Sequence, residues 1–377
     1  MQAQTSHSRA TTLSLALTLL TIIFTPQTQA QWDIQDSHTT ASLRGIASVD
    51  GATAWASGTG GTVLHTTDGG ANWQRCATPP GAESLDFRGI QAFDANTAIV
   101  MSSGKGDLSR LYKTTDGCQT WKLIFTNPDK DGFWDAVKFT DRATRGYLLG
   151  DPVNDSFRLW RSEDKGDTWL EYQTRTFHAD PRAQGAFAAS NSALWAVVGQ
   201  NPFLAWASGG TAGAMVYSWA IFPAATGGAG GGSRREVPIG HKSQSSGIFS
   251  LWFRYAPDSF PIAVAVGGDY MKPDDNSATA AETQDGANWR AAQTPPHGFR
   301  SAVAYDADQK LWITVGPNGT DISTDDGRNW SALKPSSADP PDADKNWNAL
   351  SLPYVVGPNG HIGKLRTISV NNPAVRK

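Results

Sequence analysis

The segment TTDGGANW, Thr66 to Trp73, recurs as SEDKGDTW (Ser162 to Trp169) and STDDGRNW (Ser323 to Trp330). Two altered copies accompany these. TTDGCQTW (Thr114 to Trp121) has Cys118 where the others have Gly, and TQDGANW (Thr283 to Trp289) is one residue short. The shared pattern is Ser/Thr-x-Asp-x-Gly-x-x-Trp. Short Ser/Thr and Asp side chains can accept hydrogen bonds from backbone N–H groups just ahead of them, so the segment closes a turn on itself. Gly permits a positive φ inside that turn. Trp supplies a large apolar plug with one N–H donor. Each copy therefore reads as a self-contained hairpin turn with its indole driven inward, and it fixes the register of the strands it joins. It contains neither a nucleophile nor an acid/base pair.

Working outward from these turns, Asp68, Asp116 and Asp164 are evenly spaced, Asp285 and Asp325 follow after a longer gap, and each unit has room for four short strands. A period of roughly 40–50 residues with four strands per unit is the signature of a propeller. A first strand opens each unit at LRGI (Leu43), FRGI (Phe87), FWDA (Phe133), GIFS (Gly247), FRSA (Phe299) or WNAL (Trp347). A second, apolar strand ends in Gly: AWASG, AIVMSSG, GYLLG, AVAVGG, WITVG and YVVG. A third strand leads into the turn. The region 185–238 supplies a unit without a turn motif, its first strand read from AFAASNSALWAVV. Its third strand is MVYSW, and a Gly-rich excursion follows over Ala225 to Arg235. The units are 43–80, 87–128, 133–177, 185–238, 247–295, 299–335 and 346–368. The expected fold is all-β: a seven-bladed propeller of four-stranded antiparallel blades. The last unit lacks a fourth strand, and Gln31-Trp32-Asp33-Ile34 is expected to supply it, closing the ring and protecting its edges.

The chain has 377 residues, with 32 Lys and Arg against 35 Asp and Glu, a balance that argues against a nucleic-acid surface. Arg9, the apolar run Leu13 to Phe24, Pro26 and the small residues before Gln31 read as a secretory signal peptide over 1–30, leaving one propeller domain at 31–368 and a tail at 369–377. The mature chain is expected to be exported, periplasmic or extracellular, monomeric and without a membrane span. Cys76 and Cys118 are the only cysteines. Export allows them to pair, and adjacent turns would bring them together; two separate buried thiols are the alternative.

The five turns are identified as Asp-box (BNR) repeats, which resemble those of sialidases, sortilin-type receptors and xyloglucanases. Over residues 31–368 the chain resembles the bacterial relatives of the photosystem II stability/assembly factor. LRGI, TTDGGANW, GDPV (Gly150 to Val153), GAFAAS (Gly185 to Ser190), GIFSL, AVGGDY (Ala265 to Tyr270) and VGPNGHIGKL carry that resemblance. It implies a seven-bladed propeller with the boxes at the periphery, and an assembly or stability role exercised by binding a protein. Some family members carry an oxidoreductase label, for which these residues offer no support. Cys118, the shortened fifth-unit box and the missing fourth-unit box depart from the pattern.

Chemistry is sparse by comparison. Arg44, Arg88 and Arg300 share one repeat position, and rotation about a propeller axis would bring them to one mouth of the channel, where guanidinium forks suit a carboxylate or phosphate. The alternative is three solvated side chains. Asp151, Asp269 and Tyr270 follow the Gly that ends strand two and are candidates for a binding face; ordinary turn chemistry is the alternative. Trp73, Trp121, Trp169, Trp289 and Trp330 are box plugs, Trp55, Trp206 and Trp312 are core, and Trp134 and Trp347 are expected to face the channel. A sialidase would need a Tyr–Glu nucleophile pair and an acid besides its arginines. Its Arg-Ile-Pro signature is absent and no Glu stands at an evident channel position. No paired metal spacing, nucleophile elbow, phosphate loop or dinucleotide fingerprint is present. The sequence therefore points to a binding propeller with no catalytic set, no cofactor and no metal. A glycan-binding or glycan-hydrolysing propeller is the alternative.

Overall fold

The computed structural model describes residues 32–140, 144–172, 178–197, 203–220, 232–254, 261–335, 339–340 and 342–368. Residues 1–30, read above as a signal peptide, and the tail 369–377 lie outside the described residues. Seven four-stranded antiparallel sheets form the molecule. Blade 1 runs from Leu43 to Arg75, blade 2 from Phe87 to Thr126, blade 3 from Trp134 to Glu171 and blade 4 from Leu194 to Glu236. Blade 5 runs from Ser246 to Ala291 and blade 6 from Ala302 to Leu333. Blade 7 combines Ala349–Ser351, Tyr354–Val356 and Ile362–Leu365 with Trp32–Gln35. The first strands of neighbouring blades touch all the way round, including blade 7 against blade 1, so the sheets form a closed ring about one axis.

The strand pattern follows from where each strand lies. Second strands such as Ala54–Gly58, Ala98–Ser102 and Leu311–Gly316 are buried at every position, because both faces of a blade pack against neighbouring blades. They accordingly read as continuous apolar runs rather than alternating ones. The outermost strands Gln74–Arg75 and Leu170–Glu171 are short and exposed. The cores lie between blades. Trp55 of blade 1 packs with Val100 and Tyr112 of blade 2, and Trp206 of blade 4 with Tyr147 and Leu149 of blade 3. Trp134 and Trp347 belong to these cores and do not face the channel. Trp134 stacks on Phe125 at 5.3 Å and meets Trp160 at 5.6 Å, and Trp347 meets Trp32 at 5.8 Å. On a pleated strand the side chain beside a mouth-facing residue points between the blades.

Ring closure is made by Trp32–Gln35, antiparallel to Ile362–Leu365 with Trp32 opposite Leu365. Gln35 also clips the first box: its Oε1 accepts from Trp73 Nε1 (2.9 Å) and its Nε2 donates to Gly69 O (3.1 Å).

The boxes repeat one hydrogen-bond scheme between strands three and four, at the outer edge of each blade. Thr66 Oγ1 donates to Asp68 Oδ1 (2.9 Å) and accepts from Gly70 N (3.0 Å), while Asp68 Oδ1 accepts from Asn72 N (2.9 Å). Ser162–Asp164–Gly166–Thr168 and Ser323–Asp325–Gly327–Asn329 repeat it. Hydrogen bonds from the Asn72 side chain and backbone hold the Asp68 carboxyl down to about 2. The box Gly is required for its backbone: φ is 85° at Gly70 and Gly166 and 83° at Gly327, and Cys118 takes φ 65° in the same position. In the shortened box Asp285 Oδ1 accepts from Ala287 N and Asn288 N, and Trp289 is less deeply buried than the other box indoles.

Cys118 is disulfide-bonded to Cys76, with Cα atoms 5.3 Å apart, which ties the box of blade 2 to the strand leaving the box of blade 1. The bond spans 42 residues. Reduction, or the pair Cys76→Ser and Cys118→Ser, is expected to lower stability by about 2–4 kcal/mol. Urea midpoints measured with and without reductant check this.

Blade 4 departs from the sequence reading in two ways. Its first strand is only Leu194–Val197, and the residues before it do other work. Its fourth strand is Gly232–Glu236, paired to Met215–Trp219, so the end of the Gly-rich excursion is ordered sheet.

Candidate functional site

Five β-bulges shape one end of the ring. The pairing of first and second strands slips between Leu43 and Gly45, Phe87 and Gly89, Trp134 and Ala136, and Ile248 and Ser250. Blade 3 has another slip, between Gly150 and Pro152. The extra residues are Arg44, Arg88, Asp135, Phe249 and Asp151. A bulge re-aims its side chain, and all five line one cavity of about 510 Å³ at the channel mouth.

The cavity has a floor. Blade 4 lays Ala188 to Ser192 across the ring. Ser190 Oγ donates to Ser301 O (3.0 Å) in blade 6, and Ser192 Oγ to Ser250 Oγ (2.7 Å) in blade 5. Asn191 Oδ1 accepts from Val137 N (2.7 Å) in blade 3, and Asn191 Nδ2 donates to Ile90 O (3.2 Å) in blade 2. Only a segment lying across the axis can reach four blades, so the mouth is a pocket rather than the entrance to an open channel.

One wall is basic. Asp86 lies between two arginines, with Arg44 Nε 3.2 Å from its Oδ1 and Arg88 Nε donating to its Oδ2 at 2.8 Å. Burial pulls the Arg44 guanidinium below its ordinary value; Asp86 opposes this and Arg88 adds to it. Arg88 also lies over the Phe133 ring at 6.0 Å. The facing wall is aromatic. Phe187 stacks on Phe249 at 4.0 Å, Phe299 meets Phe249 edge-on at 4.7 Å, and Tyr270 follows at 6.1 Å. Tyr270 (49 % exposed) stands open at this rim, and the next residue, Met271, is 68 % exposed.

Two carboxyls complete the lining. Asp151 Oδ1 accepts from Ala186 N (2.9 Å), an approach that Gly185 permits because a Cβ there would lie 3.0 Å from the same oxygen. Burial pushes Asp151 up to about 6, against the Ala186 hydrogen bond. Asp135 is 1 % exposed and neither carboxyl oxygen has a hydrogen-bond partner. Burial, and the Asp151 carboxyl beside it, push its pKa well above the usual carboxylate range, against the pull of Arg88.

Of the residues singled out in the sequence, Arg44, Arg88, Asp151 and Tyr270 meet in this cavity. Arg300 does not. Blade 6 has no bulge between its first two strands, and Arg300 turns inward, wholly buried, while Ser301 takes the mouth position. Its Nε donates to Asp321 Oδ2 (2.9 Å), its Nη1 to Phe299 O (2.9 Å) and Asn318 Oδ1 (2.6 Å), and its Nη2 bonds Asp321. His297 Nδ1 lies 2.9 Å from Asp321 Oδ1, and its hydrogen bond to Asp321 raises the imidazole above its ordinary value. Asp269 also stays outside: Met271 N and Ser243 Oγ donate to its carboxylate at 3.0 and 3.1 Å, which is turn chemistry. Asp135 and Phe249 were missed. In the quartets FWDA and GIFS the place of Arg44 and Arg88 falls to Trp134 and Ile248, one residue too early; the register puts Trp134 and Ile248 level with Leu43 and Phe87, so the bulged residue is the next one, Asp135 or Phe249.

Seven blades, five Asp-box turns and a floored pocket at one mouth define the class: this is an Asp-box (BNR) seven-bladed β-propeller. The family described as photosynthesis system II assembly factor YCF48 matches residues 21–198, just under half of the chain, and over that stretch the propeller resembles that family. Among solved structures, YCF48 bound to D1 peptide is 15 % identical with a TM-score of 0.56, covering 90 % of this chain and 99 % of that one. YCF48 from Cyanidioschyzon merolae is 17 % identical with a TM-score of 0.56, covering 89 % and 99 %. The structure of U3-55K is 14 % identical with a TM-score of 0.57, covering 90 % and 100 %. At these identities the likeness is one of fold. No curated protein matches the chain.

Proposed function

We propose that the protein is an exported, non-enzymatic binding propeller that holds a peptide segment of a partner protein at the pocketed mouth, in an assembly or stability role. The observation that carries this is the pocket itself, with a basic wall facing an aromatic one over a closed floor. Aromatic and arginine side chains are those that dominate peptide and protein recognition, and the guanidinium pair suits a backbone or terminal carboxylate. A fold neighbour, YCF48, is described with a bound D1 peptide, which supports the reading. The apolar N-terminal run and the Cys76–Cys118 bond support export, since disulfides persist in oxidising compartments.

An array of peptides with free C-termini, drawn from the source's own envelope proteins, tests it. The wild-type chain should retain a discrete set of peptides. Arg44→Ala with Arg88→Ala should weaken them at least tenfold, since a charge-assisted hydrogen bond contributes about 1.5–3 kcal/mol and about 1.4 kcal/mol is tenfold. No retained peptide, or retention indifferent to both arginines, rejects the proposal.

A further inference from the structure

The least explained group in the pocket is Asp135. It is held at a bulge in the lining of the cavity, out of contact with bulk water, and neither carboxyl oxygen has a hydrogen-bond partner. Leaving a buried carboxyl without a partner costs stability, and a second carboxyl, Asp151, is brought beside it by a bulge on the adjacent strand. Two facing bulges that converge two acids on one point form a built feature, and a ligand that donates hydrogen bonds would satisfy it.

Three chemistries could meet bare carboxyl oxygens. A divalent metal ion wants more carboxylate and imidazole ligands than this pocket offers, and no group of three His, Cys, Asp or Glu able to hold one exists among the described residues. A neutral hydroxyl or amide would satisfy one oxygen and leave the pair's charge uncompensated. A primary ammonium brings three N–H donors and one positive charge. The rest of the lining suits its methylene stem. Phe187, Phe249, Phe299 and Tyr270 line the same cavity, and aromatic faces attract an ammonium and pack against its chain.

We propose that the Asp135–Asp151 pair is the receptor for a primary ammonium, carried by a lysine side chain of the bound peptide. This deepens the peptide-binding reading and rests on it. The arginine wall takes the peptide's carboxylate or carbonyl groups, and the carboxyl pair takes its cation, so the pocket reads a separation of opposite charges. The groups facing Asp135 are Asp151 from its own blade and Arg88 from blade 2, with Arg44 and Tyr270 the other titratable lining. Arg88 is engaged by Asp86, which blunts its repulsion of an incoming cation.

A pH dependence follows. Both carboxyls are pushed up in the free protein, and ammonium binding favours their ionised forms, so binding expels a proton and strengthens as pH rises through about 6, the Asp151 value.

The test uses the whole chain and two probes, N-acetyl-lysyl-alanine and N-acetyl-norleucyl-alanine, each with a free C-terminus, titrated calorimetrically. At pH 7.5 the lysyl probe should bind at least tenfold more tightly. The preference should shrink severalfold at pH 5 and vanish in Asp135→Asn, a change of similar shape that removes the charge. Equal affinity for the two probes at pH 7.5, with both weakened by Arg44→Ala and Arg88→Ala, overturns the ammonium receptor and leaves the peptide-binding mouth standing. Binding of neither probe overturns both. A lysyl preference that survives Asp135→Asn unchanged also overturns the proposal, since the cation would then be held elsewhere.

Discussion

Arg300→Met should lower the unfolding free energy by about 3–5 kcal/mol, the expected cost of removing one partner from a buried ion pair. Arg300 is fully buried, and four of its bonds go to Asp321, Phe299 O and Asn318. Methionine fills part of the volume but leaves Asp321, which is 1 % exposed, as a charge with only His297 beside it. The loss should depend on pH, with a sign that follows from the histidine. His297 is raised above its ordinary 6.5 by Asp321, so its contribution is complete below about 6.5 and is lost as pH rises through the raised value. At pH 6 the imidazolium still neutralises Asp321 in the variant; at pH 8.5 it does so less, and the deficit should be larger. Arg300→Met combined with Asp321→Leu should recover most of the stability, because replacing both partners by apolar groups leaves no orphaned charge. Denaturant midpoints for the single and double variants at the two pH values check all three statements. A single variant as stable as the wild type would show that the network carries no weight.

Trp32→Ala should cost about 3–5 kcal/mol. The residue is 1 % exposed, packs on Trp347, and donates from Nε1 to Thr320 Oγ1 (3.0 Å) in blade 6. It is also the first residue of the strand that closes the ring, so a loosened Trp32–Gln35 leaves the unpaired edge of Ile362–Leu365 open. Such an edge is a template for pairing with another chain. The variant should therefore unfold at lower denaturant and associate on gentle heating, whereas Ile34→Ala, two residues on and 45 % exposed, should do neither. Unfolding curves and light scattering of the two variants, side by side, decide it. A Trp32→Ala protein indistinguishable from Ile34→Ala would mean that the closing strand is dispensable.

The residues near the mouth show where local reading stops. LRGI, FRGI and FRSA present an arginine at one repeat position, and that pattern brought Arg44, Arg88 and Arg300 forward together. Two of the three reach the cavity. Blade 6 lacks the bulge that turns the others outward, and a buried Asp321 is there to receive Arg300. Neither the slip of a pairing nor the acid on a neighbouring strand can be seen in a four-residue window. The floor was misread for a related reason. AFAASNSALWAVV has the apolar content of a strand, yet Ala188 to Ser192 find their hydrogen bonds in blades 2, 3, 5 and 6.

The sequence by itself determined the number of blades, their four strands, the position of every box turn and the strand that closes the ring. These are local or periodic properties: a turn bonds to its own neighbours, a buried strand is apolar throughout, and a repeat that cannot cover its faces alone must stack. The tertiary structure decided which side chains meet. Bulges set the aim of Arg44, Arg88, Asp135, Asp151 and Phe249, and contacts across the axis closed the channel into a pocket. The pairing of Cys76 with Cys118 and of Arg300 with Asp321 likewise depends on how neighbouring segments are set against one another. Registers and distances between strands are fixed by packing of the whole ring, and no single segment carries them.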